Sequence, residues 1–401
     1  MLIKHQETLV ALCARLKEAN SPIAIDTEFI SEKRYFARLC LVQVFCEYSN
    51  GANASGAIEA LIDPFAVDIA PLLELVSDNN ITKIVHAGGQ DLQIFFANYG
   101  YVARHVFDTQ IAGAFLGYGH QAGYTDLVRR SIDGPSLSKK LQFTDWAQRP
   151  LSAEQMNYAL DDVRYLPQMY KTLRADLVKR GRLSWAQTEF RRAESKASTR
   201  MADDELYQRL NLSGLSRRQL ATLRELAATR DALARDIDKP PSFIVPDLSL
   251  LQIAKHPPKN PGELKSTRGM PGVSDKQSRA ILDAIERAAQ LKDSELPRRG
   301  FGERPDPQLE AVAGLLGVVA GARAADHDIS RTYLASRDQL NTLAAWWLRR
   351  DGSDAPDLPI LKDWRRELLG AELLDLLSGK LHLAFDSTPN QPAIKVISFE
   401  F

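Results

Sequence analysis

The stretch Ile23-Ala24-Ile25-Asp26-Thr27-Glu28 decides how the rest of the chain reads. Three apolar residues after Pro22 run straight into two carboxylates one position apart, the pattern of a short buried strand. Side chains alternate across a strand, so Asp26 and Glu28 share a face, roughly 7 Å apart along the chain. Two acids at the end of a buried strand are costly. A pair about 4 Å apart repels by about 4 kcal/mol at an effective dielectric near 20. A strand that ends in water solvates such a pair; where the pair stays buried, a divalent cation offsets the repulsion. The choice rests on acids elsewhere.

Working outward, Thr8 to Asn20 alternates apolar and polar residues at helical spacing, through Leu9, Leu12 and Leu16. The segments 39–45 and 57–63 read as two further strands closing a meander with the first. Phe65 to Asp78 reads as an amphipathic helix. Lys83-Ile84-Val85-His86 is a short buried strand that breaks at Gly88-Gly89 and enters a helix over 91–98. Val106 is expected to start a helix running through Leu116, and Gly134-Pro135 marks a loop. Ser152 to Leu173 reads as one long helix, with Ser152 as N-cap and Gln155 three positions on, a capping box. Strands first, then strands mixed with helices, fit an α/β domain ending near Arg192.

The chain has 401 residues, 51 basic and 51 acidic, so net charge selects no partner. That length suits two or three domains. The 44% hydrophobic and 25% charged content is ordinary for a soluble globular protein. Cys13, Cys40 and Cys46 show no C-x-x-C spacing, which fits a reducing cytosol and argues against structural zinc. The N-terminus is polar rather than signal-like, and no run of about 20 apolar residues is evident. A cytoplasmic protein with no membrane association is expected.

Glu194 to Asp204 is polar and aperiodic, and reads as a linker. Beyond it the strand signal nearly vanishes. Ser216-Arg217-Arg218-Gln219-Leu220-Ala221-Thr222-Leu223 and Ser336-Arg337-Asp338-Gln339-Leu340-Asn341-Thr342-Leu343 match at six of eight positions, 120 residues apart. An internal duplication of a small helical domain accounts for the match, with the Pro/Arg-rich run 296–307 between the copies. Residues 204–290 carry a net charge of +3 and residues 300–401 a net charge of −4. The first copy is therefore the better candidate for touching phosphates.

Three further residues complete a constellation. Asp91 follows the glycine break at a helix start, where an acid also satisfies the helix dipole. In Tyr158-Ala159-Leu160-Asp161-Asp162-Val163, the apolar stripe runs through Met156, Ala159, Val163, Leu166 and Tyr170. Asp161 points away from it, whereas Asp162 and Tyr158, four residues apart, share its edge. Four carboxylates with a phenol suit two-metal phosphodiester cleavage. Oxygen ligands favour Mg²⁺ or Mn²⁺.

Asp26-Thr27-Glu28, His86 to Asp91 and Tyr158-x-x-x-Asp162 resemble the three exonuclease motifs of the DEDD superfamily. The tyrosine points to its DEDDy branch. The blocks Asp26-Thr27-Glu28-Phe29, Leu39-Cys40-Leu41-Val42-Gln43, Phe107-Asp108-Thr109-Gln110, Thr144-Asp145-Trp146 and Arg149-Pro150-Leu151 are most similar to the ribonuclease D family. The resemblance covers Ser21 to about Tyr170. It implies an RNase H-like α/β fold, 3′→5′ hydrolysis of RNA with release of nucleoside 5′-monophosphates, and a role in tRNA 3′-end maturation. It also implies Asp26, Glu28, Asp91 and Asp162 as ligands of two divalent metal ions, with Tyr158 positioning the nucleophile. The helical segments resemble HRDC domains. The first copy fits through Leu220, Leu223, Arg230, Pro240-Pro241, 250–254 and Pro271-Gly272, and departs at Thr229, where the family often has Trp.

The expected architecture is thus an α/β exonuclease domain over 1–195, an all-α HRDC domain over 204–292 and a second, diverged helical copy over 305–385. The nuclease motifs read as self-contained, so the helical part is expected to serve structured RNA more than cleavage itself. RNA, especially tRNA precursors with 3′ extensions, is the expected partner, and no protein partner is implied. Lys139, beside Lys140, is placed to touch a substrate phosphate. Tyr35 and Phe36 could stack on terminal bases or simply pack. Gln43 could support the metal site or sit at the core edge. A DNA-trimming exonuclease and a catalytically silent RNA-binding module are the competing readings.

Overall fold

In the computed structural model, which describes residues 1–49, 55–138, 140–297, 306–349, 351–385 and 394–398, six strands form one mixed sheet. These are β1 (Leu2–Ile3), β2 (Ile23–Ile30), β3 (Arg38–Ser49), β4 (Ser55–Ile62), β5 (Lys83–Val85) and β6 (Val106–Asp108), in the order β1-β4-β3-β2-β5-β6. The β2-β3-β4 meander is antiparallel, and β5 and β6 add in parallel. This is the RNase H-like arrangement that the motifs imply.

Helices α1 (Gln6–Ala19), α2 (Ala70–Ser77), α3 (Gly89–Tyr99), α4 (Thr109–Ala114), α5 (Tyr124–Ile132), α6 (Ala153–Arg164), α7 (Leu166–Lys179) and α8 (Leu183–Ala197) surround the sheet. Three expectations need correction. Val106 to Asp108 is a strand paired with β5, not the start of a helix. The long helix from Ser152 is two helices broken at Tyr165, with Pro167 in the first turn of the second, where its missing N–H costs nothing. The polar segment from Glu194 is not yet linker: α8 continues to Ala197, and the buried Glu194 carboxylate accepts the Val106 N–H at 2.7 Å.

The first helical copy comprises α9 (Arg217–Asp236), α10 (Pro241–Ile244), α11 (Asp247–Lys255), α12 (Pro261–Lys265) and α13 (Asp275–Gln290). Capping boxes at Ser216 and Ser274 start its two longest helices. Its core, built on Leu223, Leu226, Leu250, Ile253 and Ala284, is its own, and Tyr35 is the nuclease side chain packed against it. The second copy comprises α14 (Pro307–Asp326), α15 (Arg331–Leu334), α16 (Arg337–Arg349), α17 (Asp363–Arg365), a π turn over Arg366–Gly370 and α18 (Ala371–Leu377). A hairpin of β7 (Leu381–Phe385) and β8 (Ile394–Ser398) follows.

The helices of the two segments correspond at a spacing of 90 rather than the 120 of the sequence match. A shift of 90 carries Arg217–Asp236 onto Pro307–Asp326 and Pro241–Ile244 onto Arg331–Leu334. It also carries the start of α11 onto the start of α16 and Asp238 onto Asp328, which both take left-handed backbone (φ 50° and 54°). Ser216 and Ser336 match because both side chains cap helix starts, through Gln219 and Gln339.

The second copy does not stand apart from the nuclease. Leu316, Val319, Leu340, Leu343, Trp364 and Leu369 are buried in one core with Phe107, Phe115, Leu127, Val163 and Met169. Trp364 stacks on Trp185 with centroids 5.1 Å apart, and meets Phe115 edge-on at 5.4 Å. Arg365 and Glu189, both buried, form an ion pair at 2.7 Å. Helix α14 is long and apolar enough to cross a membrane by length and composition alone, a feature the sequence reading passed over. Here its Leu316, Val319 and Ala320 are core residues.

Candidate active site

The site forms where β2 outruns its neighbour. β5 pairs only with Ile23 and Ala24, so from Ile25 onward that edge of β2 is free to receive the start of α3. Asp26 and Glu28 project from one face of β2 toward α6, opposite Gln43 and Leu41 of β3. Thr27, pointing the other way, donates its hydroxyl to Asp91 in the first turn of α3. Asp162 on α6 completes the cluster: ligand oxygens of Asp26, Glu28 and Asp162 lie within 4.8 Å of one another. Asp91 is 8% exposed and close enough to raise the proton affinity of both Asp26 and Glu28.

Without a cation this arrangement resists ionisation. Burial first, then the charges of Asp91, Asp162 and Glu28, hold the Asp26 carboxyl well above the usual range. Burial and then Asp162 and Asp91 push Glu28 up to about 9. Burial takes Asp162 to about 7 and Asp91 to about 6, the latter against the Thr27 hydrogen bond. Four carboxylates that repel one another in a low-dielectric niche are matched to hard divalent cations, which reverse the sign of the local field. The residues present therefore fit such ions.

Tyr158 stands one helical turn before Asp162, half-buried, its ring 6.1 Å from that of Trp146. Burial, then Asp162, Glu28 and Asp26, raise its phenol above the ordinary value. It therefore stays protonated at neutral pH.

Sequence reasoning gave no role to Asp108. Its buried carboxylate accepts the backbone N–H of Ala87 and Gly88, each at 3.1 Å, and caps α4 through Gln110 and Ile111 at 2.8 and 3.3 Å. It thus pins the turn that aims Asp91. Gly88 is required there: a Cβ would lie 2.7 Å from Val85 side-chain carbons. An Asp before a helix start was the available signal. Tyr124, also missed, donates to the Asp161 carbonyl at 2.9 Å and meets the His86 ring edge-on at 5.4 Å.

The less central candidates fall as follows. Gln43 is fully buried, and neither side-chain amide atom has a hydrogen-bond partner. Tyr35 and Phe36 lie on the β2–β3 loop and are held by the first helical copy. The Tyr35 hydroxyl donates to Asp231 at 2.9 Å, the Tyr35 and Phe36 N–H groups donate to Asp238 at 3.1 and 3.0 Å, and Arg34 pairs with Asp238. Both rings line a cavity of about 630 Å³ between the nuclease and the first copy, next to Phe29 and Gln90, with Arg200 and Arg209 in its wall. Lys139 lies outside the described residues; Lys140 is exposed.

An RNase H-like sheet that gathers four acids and a phenol defines a DEDD-type 3′→5′ exonuclease. Residues 1–178 match the 3′–5′ exonuclease family, and residues 219–285 match the HRDC domain. Ribonuclease D of Acidiphilium cryptum is 37% identical over 96% of this chain and 94% of its own length. That of Granulibacter bethesdensis is 36% identical over the same shares. The crystal structure of Escherichia coli RNase D, described as an exoribonuclease involved in structured RNA processing, superposes with a TM-score of 0.79 at 30% identity. It covers 94% of this chain and 98% of that one. The chain belongs to the ribonuclease D family and is a 3′→5′ exoribonuclease.

Proposed function

We propose that this enzyme trims the 3′ ends of tRNA precursors in the cytoplasm, releasing nucleoside 5′-monophosphates. In this reading Asp26, Glu28, Asp91 and Asp162 hold two divalent cations, Mg²⁺ or Mn²⁺. The observation that carries it is the convergence of Asp26, Glu28 and Asp162 oxygens within 4.8 Å, with Asp91 against them. Bound there, the cations would neutralise charge on the attacking and leaving oxygens of an in-line displacement. The chain's own residues do the positioning. Tyr158, protonated, orients the attacking water by hydrogen bonding and is not its base. Thr27 and Asp108 fix Asp91, the one directly and the other through the turn before α3. The RNA strand behind the cleaved nucleotide lies in the cavity walled by Arg209, whose side chain suits phosphates, while Arg200 in the same wall is paired with Asp203 and Asp231. We read residues 1–195 as the nuclease domain, 204–292 as an HRDC domain and 305–385 as its diverged duplicate. The 90-residue correspondence of helices supports that last assignment.

The test is hydrolysis of a 5′-end-labelled tRNA precursor with a 3′ extension, with and without divalent metal. Stepwise shortening from the 3′ end that stops in excess chelator, and in Asp162→Asn, is expected. Full-rate digestion by that variant would remove the assigned site. Faster cleavage of a matched DNA strand would replace RNA as substrate.

A further inference from the structure

Gln43 sits at the centre of the sheet, directly across from Asp26 in the β2–β3 ladder. Paired residues on neighbouring antiparallel strands project to the same face, with Cβ atoms about 5 Å apart. Gln43 and Asp26 therefore lie side by side beneath α6. The neighbours of Gln43 within β3 and across β4 are apolar. Leu41 and Phe45 flank it along β3, Leu61 faces it from β4, and Ala159, Leu160 and Trp146 share the cluster of Leu41 and Leu61. The side chain is 0% exposed, and both its amide nitrogen and its amide oxygen lack a hydrogen-bond partner. Leaving a buried polar group unsatisfied is destabilising, because the hydrogen bonds it gave up to water are not replaced. A leucine or methionine of similar volume would fill the space without that cost.

We propose that Gln43 is a positioning residue for Asp26, its amide N–H holding one carboxylate oxygen so that the other faces the cations. The inference rests on the metal-site reading above. Asp26 is the polar side chain that the ladder sets beside this amide, and Gln43 is too deeply buried to reach substrate. The amide contributes only when Asp26 is engaged, so the cost of burying it is borne by the metal-free fold and recovered on loading.

The experiment is titration calorimetry of Mn²⁺ binding to the full-length protein, with melting of the metal-free protein alongside, for wild type, Gln43→Met, Gln43→Leu and Asp26→Asn. Gln43→Met should melt no lower than wild type without metal, yet bind Mn²⁺ about tenfold or more weakly, the usual effect of removing a partner of a metal ligand. Gln43→Leu, which also fills the space without a donor, should bind Mn²⁺ as weakly as Gln43→Met. Wild-type Mn²⁺ affinity in either variant, or a lowered metal-free melting temperature in Gln43→Met, would overturn the proposal. Unchanged Mn²⁺ binding in Asp26→Asn would overturn the metal site itself.

Discussion

The shared core of the nuclease and the second helical copy can be tested with Trp364→Ala. Trp364 is 4% exposed, stacked on Trp185 and in edge contact with Phe115. Truncating a buried Trp costs about 3–5 kcal/mol. Loss of two ring contacts, each worth about 0.5–1.5 kcal/mol, puts this site at the upper end. Against a total of about 5–15 kcal/mol for a typical domain, that is a third or more of the stability. The melting temperature should fall on the order of 10 °C. Two readouts matter: far-UV circular dichroism for the whole chain, and hydrolysis of a short single-stranded RNA after heating for the nuclease alone. Both should shift together in Trp364→Ala. Leu250→Ala, in the separate core of the first copy, should shift the first readout and largely spare the second. If the nuclease of Trp364→Ala lost activity at the wild-type temperature, the two units would fold independently and the shared-core argument would fail.

In excess chelator, stability should fall as pH rises from about 5 to about 9. The folded carboxyls of Asp91, Asp162 and Glu28 titrate near 6, 7 and 9, against about 4 when unfolded. The folded chain therefore holds more protons across that window, and raising pH favours unfolding. A melting temperature flat with pH would contradict the buried cluster; added Mg²⁺ should abolish the slope. Asp108→Ala leaves four backbone N–H groups without their acceptor. It should cost at least about 3 kcal/mol by denaturant titration and lower kcat by displacing Asp91. Unaltered kcat would dissociate that turn from catalysis. Arg209→Ala, in the cavity wall, should raise KM for oligonucleotides of several residues more than for dinucleotides, and flatten the salt dependence of KM. An equal effect at both lengths would place the upstream strand elsewhere.

The candidate site residues were legible because they obey local rules. Asp26 and Glu28 follow an apolar run and share one face of β2, and Tyr158 and Asp162 share an edge of a helix that Ser152 and Gln155 announce. What brings them together was not, since the overhang of β2 past β5 depends on pairing partners far apart in sequence. Val106-Phe107-Asp108 misled because three apolar-rich residues carry no usable period. Tyr165 was missed as a break because Pro167 reads equally well inside a helix start or across a kink. The 120-residue match picked out two capped helix starts that do not correspond in the fold, since capping signals mark any helix start. The core shared by the second copy and the nuclease was not legible, because Trp364 and Arg365 find their partners Trp185 and Glu189 nearly 180 residues away on α8.

The turns at Asp238 and Asp328, both with left-handed backbone, each meet the nuclease. One grips the loop after the catalytic strand through the N–H groups of Tyr35 and Phe36. The other seats against Gly117 while its neighbour Ser330 donates to the Ala114 carbonyl at 3.0 Å. Each turn thus ties its helical unit to the nuclease through backbone groups, the Asp238 carboxylate accepting N–H groups of the loop after β2 and the Ser330 N–H reaching the end of α4. Lengthening either turn by one residue would therefore change how that unit seats, even with both helical cores left intact.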